Sequence, residues 1–382
     1  MPEAVIVEAV RTPIGKRNGS LAEVHPTDLG AVVLRELVAR TGIDPGDIDD
    51  VQWGCVSQVG DQSSNVGRFT VLAAGWPETV PAVTINRACG SSQQALDHAA
   101  YAVMSGQQEL VVAGGVETMS RVPLGAARAT GMPYGPTPYA RYPGADFNQI
   151  TGAQAIAEQW GLSRTKLDEF SSRSHELTAS AIDKRLFDGQ VVPVKTETGD
   201  FSVDEGLRRG TSVETLAGLK SVSGEGGSIH AGNSSQISDG AAALLITTPE
   251  CAKALGLRPL ARYVQGAVMG ADPRLVLTGP IPATRRVLDR ARMTIDDIGA
   301  FEVNEAFAAV PLAWLAETGA DLARVNPVGG AIAVGHPLGA SGAILMTRLI
   351  NHMRDNGIRF GLQTMCEGGG TANATIVELI DE

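Results

Sequence analysis

The chain has little of several things, and each shortage removes a class of protein. Only four of its 382 residues are cysteines (Cys55, Cys89, Cys251 and Cys366), and no two form a CxxC pair. That spacing argues against structural zinc and suits a reducing compartment. Lys plus Arg (31) fall short of Asp plus Glu (42), leaving a net charge of -11. A broad nucleic-acid or anionic-membrane surface is thereby disfavoured, while a local basic pocket for a phosphorylated ligand stays open. No apolar run is long enough to span a bilayer. Aromatic residues are only 4%, whereas 45 glycines occur without a collagen or low-complexity period. This pattern points to tight turns and close backbone approaches in an α/β enzyme. The opening residues PEAVIVEAVRTP run straight into a strand and read as neither signal peptide nor presequence, so a cytoplasmic location is expected.

What the chain does have is organised around Ala82–Gly115. AVTIN has the β-branched alternation of a strand. After Gly90, apolar residues at Ala95, Leu96, Ala99, Ala100, Val103 and Met104 follow one helix face, with Gly106 as a stop. LVVAGG then reads as a second buried strand. Cys89 therefore falls where a strand turns into a helix, a place where free N–H groups and the helix dipole favour a thiolate. On this stretch alone it reads equally as a small packed side chain.

Along the chain, AVIVEAV is a strand and Thr27–Arg40 a helix. Cys55 lies in a buried strand run and reads as packing. From Arg121 to Pro143 the sequence is rich in Pro, Gly and Tyr without a sustained period, a long excursion from the sheet. A helix from Ala153 to Trp160 follows, then a second one capped by Ser163. His175 on that second helix, amid polar neighbours, is expected to be solvated, and His230 beside a glycine turn to be structural. Arg208, Arg209 and Lys220 form a basic cluster in acidic surroundings, either ordinary surface or a phosphate-facing edge.

The C-terminal third echoes the first. Ile48 to Cys89 and Ile298 to Gly339 are both 41 residues, each ending in a Gly-rich turn before a helix. Two related α/β halves would set equivalent turns opposite each other. GGAIAVGHPLGASGA holds His336 in a rigid loop that aims the ring. TMCEGGG sets Cys366 at a strand end, before glycines whose N–H groups can approach an oxyanion. VNEAF places Asn304 and Glu305 at another strand end, where capping a turn is the alternative role.

Taken together, Cys89-Gly-Ser, Gly114-Gly-Val-Glu-Thr-Met-Ser, Gly232-Asn-Ser-Ser, Asp239-Gly-Ala-Ala, Asn304-Glu-Ala-Phe, Gly335-His-Pro-Leu-Gly-Ala-Ser-Gly and Cys366-Glu-Gly-Gly-Gly occur in the order of the thiolase family. The chain resembles that family over nearly its whole length. The resemblance implies an α/β fold of duplicated halves, each a five-stranded mixed sheet sandwiched by helices. An N-terminal half at 1–118, completed by about 239–259, would carry an inserted coenzyme A-binding loop domain at 119–238; a C-terminal half would span 260–382. It implies a homodimer or homotetramer that works on acyl-CoA and coenzyme A as co-substrate, with no permanently bound cofactor and no metal, nucleic acid or membrane insertion.

By the same resemblance Cys89 is the acylated nucleophile, His336 its base, and Cys366 the acid and base for the departing enolate and the incoming CoA thiol. His336 and a water held by Asn304 would form one oxyanion hole, and the N–H groups of Cys89 and Gly368 the other. Matching coenzyme A positions are Arg208, Thr215, Ala231, Ser235, Ala306 and Phe307. Biosynthetic acetoacetyl-CoA thiolases carry His-Met before a loop-domain glycine. Here Ile150 and Thr151 precede Gly152, which favours degradative 3-ketoacyl-CoA thiolysis, of the fatty acid β-oxidation type, on a branched or ring-bearing chain. Gln236 replaces a common glycine, with no consequence derivable from sequence. Competing readings are a biosynthetic acetoacetyl-CoA thiolase, a decarboxylating ketoacyl synthase (which needs a second His where Cys366 stands), a redox protein or switch using Cys89 and Cys366, and a non-catalytic acyl-CoA-binding relative.

Overall fold

In the computed structural model, which describes residues 2–380, the first half is built from strands β1 (Val5–Arg11), β2 (Asp50–Gly54), β3 (Ala82–Ile85), β4 (Leu110–Thr118) and β5 (Ser238–Thr247). The second half supplies β6 (Ala261–Gly270), β7 (Ala300–Val303), β8 (Phe360–Glu367) and β9 (Thr371–Leu379). All nine join one mixed sheet in the order β7-β8-β9-β6-β1-β5-β4-β2-β3. Within the sheet the two halves join where Val5 and Ile6 pair with Arg262 and Ala261. In the second half a single parallel bridge from Phe301 to Val325 stands where the first half has β3.

The repeat is plain in the element positions. β2 starts at Asp50 and β7 at Ala300; β4 starts at Leu110 and β8 at Phe360. Helix α1 (Pro26–Thr41) begins with Pro at its first turn and ends on left-handed Gly42, the usual chemistry for both ends of a helix. It covers the first half together with α2 (Val66–Ala73), over a core that includes Leu34, Val51 and Trp53. Helix α3 (Ser91–Met104) follows the Cys89 turn. Between β4 and β5 the chain leaves the sheet for 119 onward, forming α4 (Gln149–Gln159) and α5 (Arg164–Asp183), the latter capped by Ser163 as expected. In the second half α6 (Pro280–Ala291), α7 (Ala309–Thr318) and α8 (Ser341–Asn356) follow.

β4 is buried at all nine residues, as a continuous apolar run in a central strand requires. α3 and α8 lie at the centre and share one core with β1, β4 and β5. They come unusually close: a Cβ on Gly342 would sit 2.7 Å from Gln93 Cβ and 2.8 Å from Gln93 Cα. The Ala343 N–H donates to Ser92 Oγ across the same contact (2.9 Å). Gln93 Nε2 reaches Thr375 Oγ1 at 2.9 Å, and Gln363 Nε2 reaches the Gly342 carbonyl at 2.9 Å, so the seam between halves is polar and closed.

Gly342→Ala tests this seam. Alanine normally favours a helix interior, but here overpacking against a backbone should dominate and destabilise the protein by about 1–3 kcal/mol. Urea denaturation would read this as a lowered midpoint, and an unchanged or raised midpoint would contradict the tight contact.

Candidate active site

The turn between β3 and α3 is made by its own short hydrogen bonds. Asn86 Oδ1 accepts from the Ala88 N–H (2.9 Å), Ser91 Oγ accepts from the Arg87 N–H (3.0 Å), and the Gly90 N–H donates to the Arg87 carbonyl (3.1 Å). Ala88 is held at φ 45, a left-handed conformation that a non-glycine residue adopts at a cost. This turn presents Cys89 in a buried cluster with Met119, Leu338, Leu345 and Met365.

Burial pushes the Cys89 thiol up to about 12, with Glu367 adding to the rise. The N–H groups of Cys89 itself and of Gly368 act on the sulfur in the opposite sense. A thiolate stabilised by the helix start was expected here. In the resting protein desolvation outweighs the N–H groups, and Cys89 is a neutral thiol. Cys366, on β8, is fully buried, and its thiol is raised well above the ordinary range by burial and by the neighbouring Cys89. The structure thus brings Cys89, Gly368 and Cys366 together from opposite halves.

His336 follows left-handed Gly335 (φ 110), where a side chain would collide with Ser238. Burial lowers its imidazole to about 4, so the ring is neutral at physiological pH. The tautomer follows from its partners. Ser341 Oγ donates to the Pro337 carbonyl (2.9 Å), so His336 Nδ1–H donates to Ser341 Oγ (2.6 Å). Asn304 Nδ2 donates to Nε2 (3.3 Å), which also requires a lone pair there. Both sides of the ring therefore leave Nε2 as the basic nitrogen. Asn304 Oδ1 is buried without a partner among the described residues, a free acceptor that suits a bound water.

Several supporting residues escaped sequence reasoning. Glu117 accepts from the N–H groups of Val56 (2.9 Å), Ser57 (3.0 Å) and Gly339 (2.9 Å), tying the turn after β2 to the turn before α8. Gln236, whose consequence could not be derived, donates to the carbonyls of Gly206 (2.8 Å) and Ile332 (3.0 Å), and its own carbonyl accepts from the His336 N–H (3.3 Å). It braces the His336 loop against the excursion. Ser341, five residues beyond His336, carried the one readable signal, a hydroxyl in the first turn of the following helix.

Other expectations meet mixed outcomes. Glu305 is a buried tie, accepting from Ser174 Oγ (2.6 Å) and Asn326 Nδ2 (2.8 Å). Cys55 lies just past the end of β2 and is buried, with its thiol raised by desolvation. His230 is structural: its Nδ1 accepts from the Gly232 N–H (3.0 Å), so Nε2–H donates to Asp168 Oδ1 (2.7 Å). His175 corrects the expectation of a solvated ring. It is buried, its Nδ1 accepts from the Arg208 N–H (3.3 Å), and desolvation lowers it to about 4. Helical position alone could not reveal that the 208 loop folds over it.

Arg208, Thr215 and Ala231 are exposed, Arg209 is paired with Asp183, and the Ser235 N–H donates to the Ala306 carbonyl (2.9 Å). Ala306, Phe307 and Cys366 share one buried cluster, with Ile150 packed against it. Thr151 is exposed, its Oγ1 donating to Asp146 (2.8 Å).

A strained turn bearing a buried thiol, a second buried thiol beside it and a neutral histidine come together on duplicated α/β halves, an arrangement chemically able to support acyl transfer through a cysteine. The thiolase N-terminal domain family matches residues 4–250 and the thiolase C-terminal domain family residues 257–379, so the chain belongs to the thiolase family. It is 50% identical to the steroid 3-ketoacyl-CoA thiolase FadA6 of Mycobacterium tuberculosis, over 99% of this chain and 94% of that protein. It is 41% identical to a 3-ketoacyl-CoA thiolase of Bacillus subtilis, over 99% of this chain and all of the relative. The crystal structure of the Bacillus anthracis acetyl-CoA acetyltransferase superposes with a TM-score of 0.91 at 38% identity, covering 100% of this chain and 99% of that one.

Ser341→Ala removes the acceptor that fixes the His336 tautomer. It should lower kcat by about 10–100-fold, within reach of what a positioned general base contributes, with KM little changed. Steady-state kinetics on a folded variant check this, and an unaltered kcat would contradict the tautomer assignment.

Proposed function

We propose that the protein is a degradative thiolase that cleaves a 3-ketoacyl-CoA with coenzyme A, giving acetyl-CoA and a shortened acyl-CoA, and that its acyl chain is bulky. The observation that carries this reading is the convergence of the Cys89 and Gly368 N–H groups on the Cys89 sulfur, with the Cys366 thiol as neighbour. His336 Nε2 takes the Cys89 proton as the sulfur attacks the 3-keto carbon. Because both groups rest neutral, proton transfer and attack belong to one event. The oxyanion formed at that carbon is held by the two N–H groups.

Collapse of this adduct breaks the C2–C3 bond and leaves the acyl group on Cys89 as a thioester. The departing enolate of acetyl-CoA is stabilised by His336 and a water on Asn304, and takes its proton from Cys366. Cys366 then accepts the proton of the incoming CoA thiol, which attacks the thioester and frees Cys89. Coenzyme A lies along the loop domain at 119–238. Arg208 stands near its nucleotide, Thr215 and Ala231 beside it, Ser235 at the pantetheine, and Ala306 and Phe307 along the tunnel. The exposure of Arg208, Thr215 and Ala231 supports this path.

Ile150 and Thr151 in place of a His-Met pair favour a roomy acyl pocket, and the steroid substrate in the name of the Mycobacterium relative agrees with bulk. A cytoplasmic homodimer or homotetramer fits a chain with no described helix long and apolar enough to cross a membrane and with sheet-edge strand β3 exposing Val83. Thiolysis should be measured on 3-ketoacyl-CoA esters from acetoacetyl to long-chain and ring-bearing. We expect kcat/KM to favour the bulky esters; preference for acetoacetyl-CoA would overturn the substrate reading, and inactivity on all would overturn the function.

A further inference from the structure

Beside Cys89 lies a carboxyl group that the proposed reaction does not use. Glu367 and Asn373 point from the same face of the β8–β9 hairpin toward Gly90 at the start of α3. A Cβ on Gly90 would collide with Glu367 Oε1 and with Asn373 Oδ1, so the two oxygens crowd one point. Both are buried, and neither has a partner among the described residues. Their other atoms are engaged. Glu367 Oε2 accepts from Thr371 Oγ1 (2.6 Å), while Asn373 Nδ2 donates to Gln94 Oε1 and Asp97 Oδ2 (both 3.2 Å). Flipping the Asn373 amide would turn its oxygen toward the Asp97 carboxylate, so Oδ1 stays toward Glu367.

Two buried acceptors facing each other are costly, and one proton between them satisfies both. We propose that Glu367 is held as a neutral acid whose O–H donates to Asn373 Oδ1, a positioning residue that braces the Gly90 turn while keeping a negative charge away from the nucleophile. Burial pushes this carboxyl up to about 8, with the Thr371 hydroxyl, Arg87 and the Asn373 N–H opposing the rise and Asp97 adding to it. Arg87, whose Nε is buried without a partner among the described residues, is the cation that faces it; Asp97, Cys89 and Cys366 are the other titratable neighbours. Above that range ionisation breaks the bond and sets an anion beside both thiols, which is how Glu367 contributes to raising them. The proposal concerns the acidity of Cys89 and rests on its role as nucleophile only for the catalytic consequence.

The test is alkylation of Cys89 by iodoacetamide, mapped by mass spectrometry, in the wild type and in Glu367→Gln, whose amide preserves the donor. This readout does not require Cys89 to carry an acyl group, so it stands apart from the assignment of the reaction. At about pH 6.5 the two proteins should react equally, and at about pH 9.5 the variant should react up to about tenfold faster, the effect of one unit in thiol pKa. A constant ratio above one across the range would mean an ionised Glu367 throughout and would overturn the proposal, whereas equal rates at both ends would mean an acid that stays neutral over the whole range and would support it. A neutron structure of the wild type near neutral pH needs no variant. A deuteron between Glu367 and Asn373 is expected, and its absence overturns the assignment.

Discussion

The contact between α3 and α8 sets the terms for everything around it. One helix comes from each half, and at Gly342 and Gln93 they approach so closely that a single methyl group has no room. The Cys89 turn leads into α3, and the His336 loop leads into α8. Cys366 and Gly368 stand at the end of β8, whose Gln363 bonds to the α8 backbone while Gln93 of α3 bonds back to the β8 backbone. Glu117 adds a further tie, holding the turn after β2 to the start of α8 through Gly339. Small residues at the seam thus convert a duplicated fold into a site whose parts come from different halves, with little freedom to drift.

The same closeness governs the charges. A thiol, a second thiol and an imidazole are all sealed from water, and burial drives each toward its neutral form. Such a site stores no thiolate at rest. In the proposed reaction it becomes reactive when a substrate carbonyl arrives to take negative charge beside the N–H groups of Cys89 and Gly368. Preorganised donors of this kind need no rearrangement when charge develops, which makes them effective in a water-poor cavity. A neutral Glu367 beside the sulfur belongs to the same logic.

Local patterns made part of this legible in advance. The strand-to-helix position of Cys89 came from a change of hydrophobic period, the repeat from equal spacings, and the rigidity of the His336 loop from its glycines and proline. What stayed hidden depends on partners distant in sequence. Gln236 bonds a carbonyl 96 residues away, Glu117 a backbone group 222 residues away, and Asn373 an aspartate 276 residues away. His175 has the sequence of a solvated helix residue and is buried because the loop around Arg208 folds onto it. The Cys89 thiolate was misjudged for a related reason: a helix start is visible in sequence, whereas the depth of burial that opposes it is not.

The claim most worth testing is that Cys89 carries the acyl group. The enzyme would be mixed with a 3-ketoacyl-CoA without free coenzyme A, quenched in acid and digested, and the peptides searched by mass for the shortened acyl group. The account predicts that group on the Cys89 peptide and its discharge when coenzyme A is added before the quench. An acyl group on a different residue, or turnover with no acylated peptide at all, would contradict it.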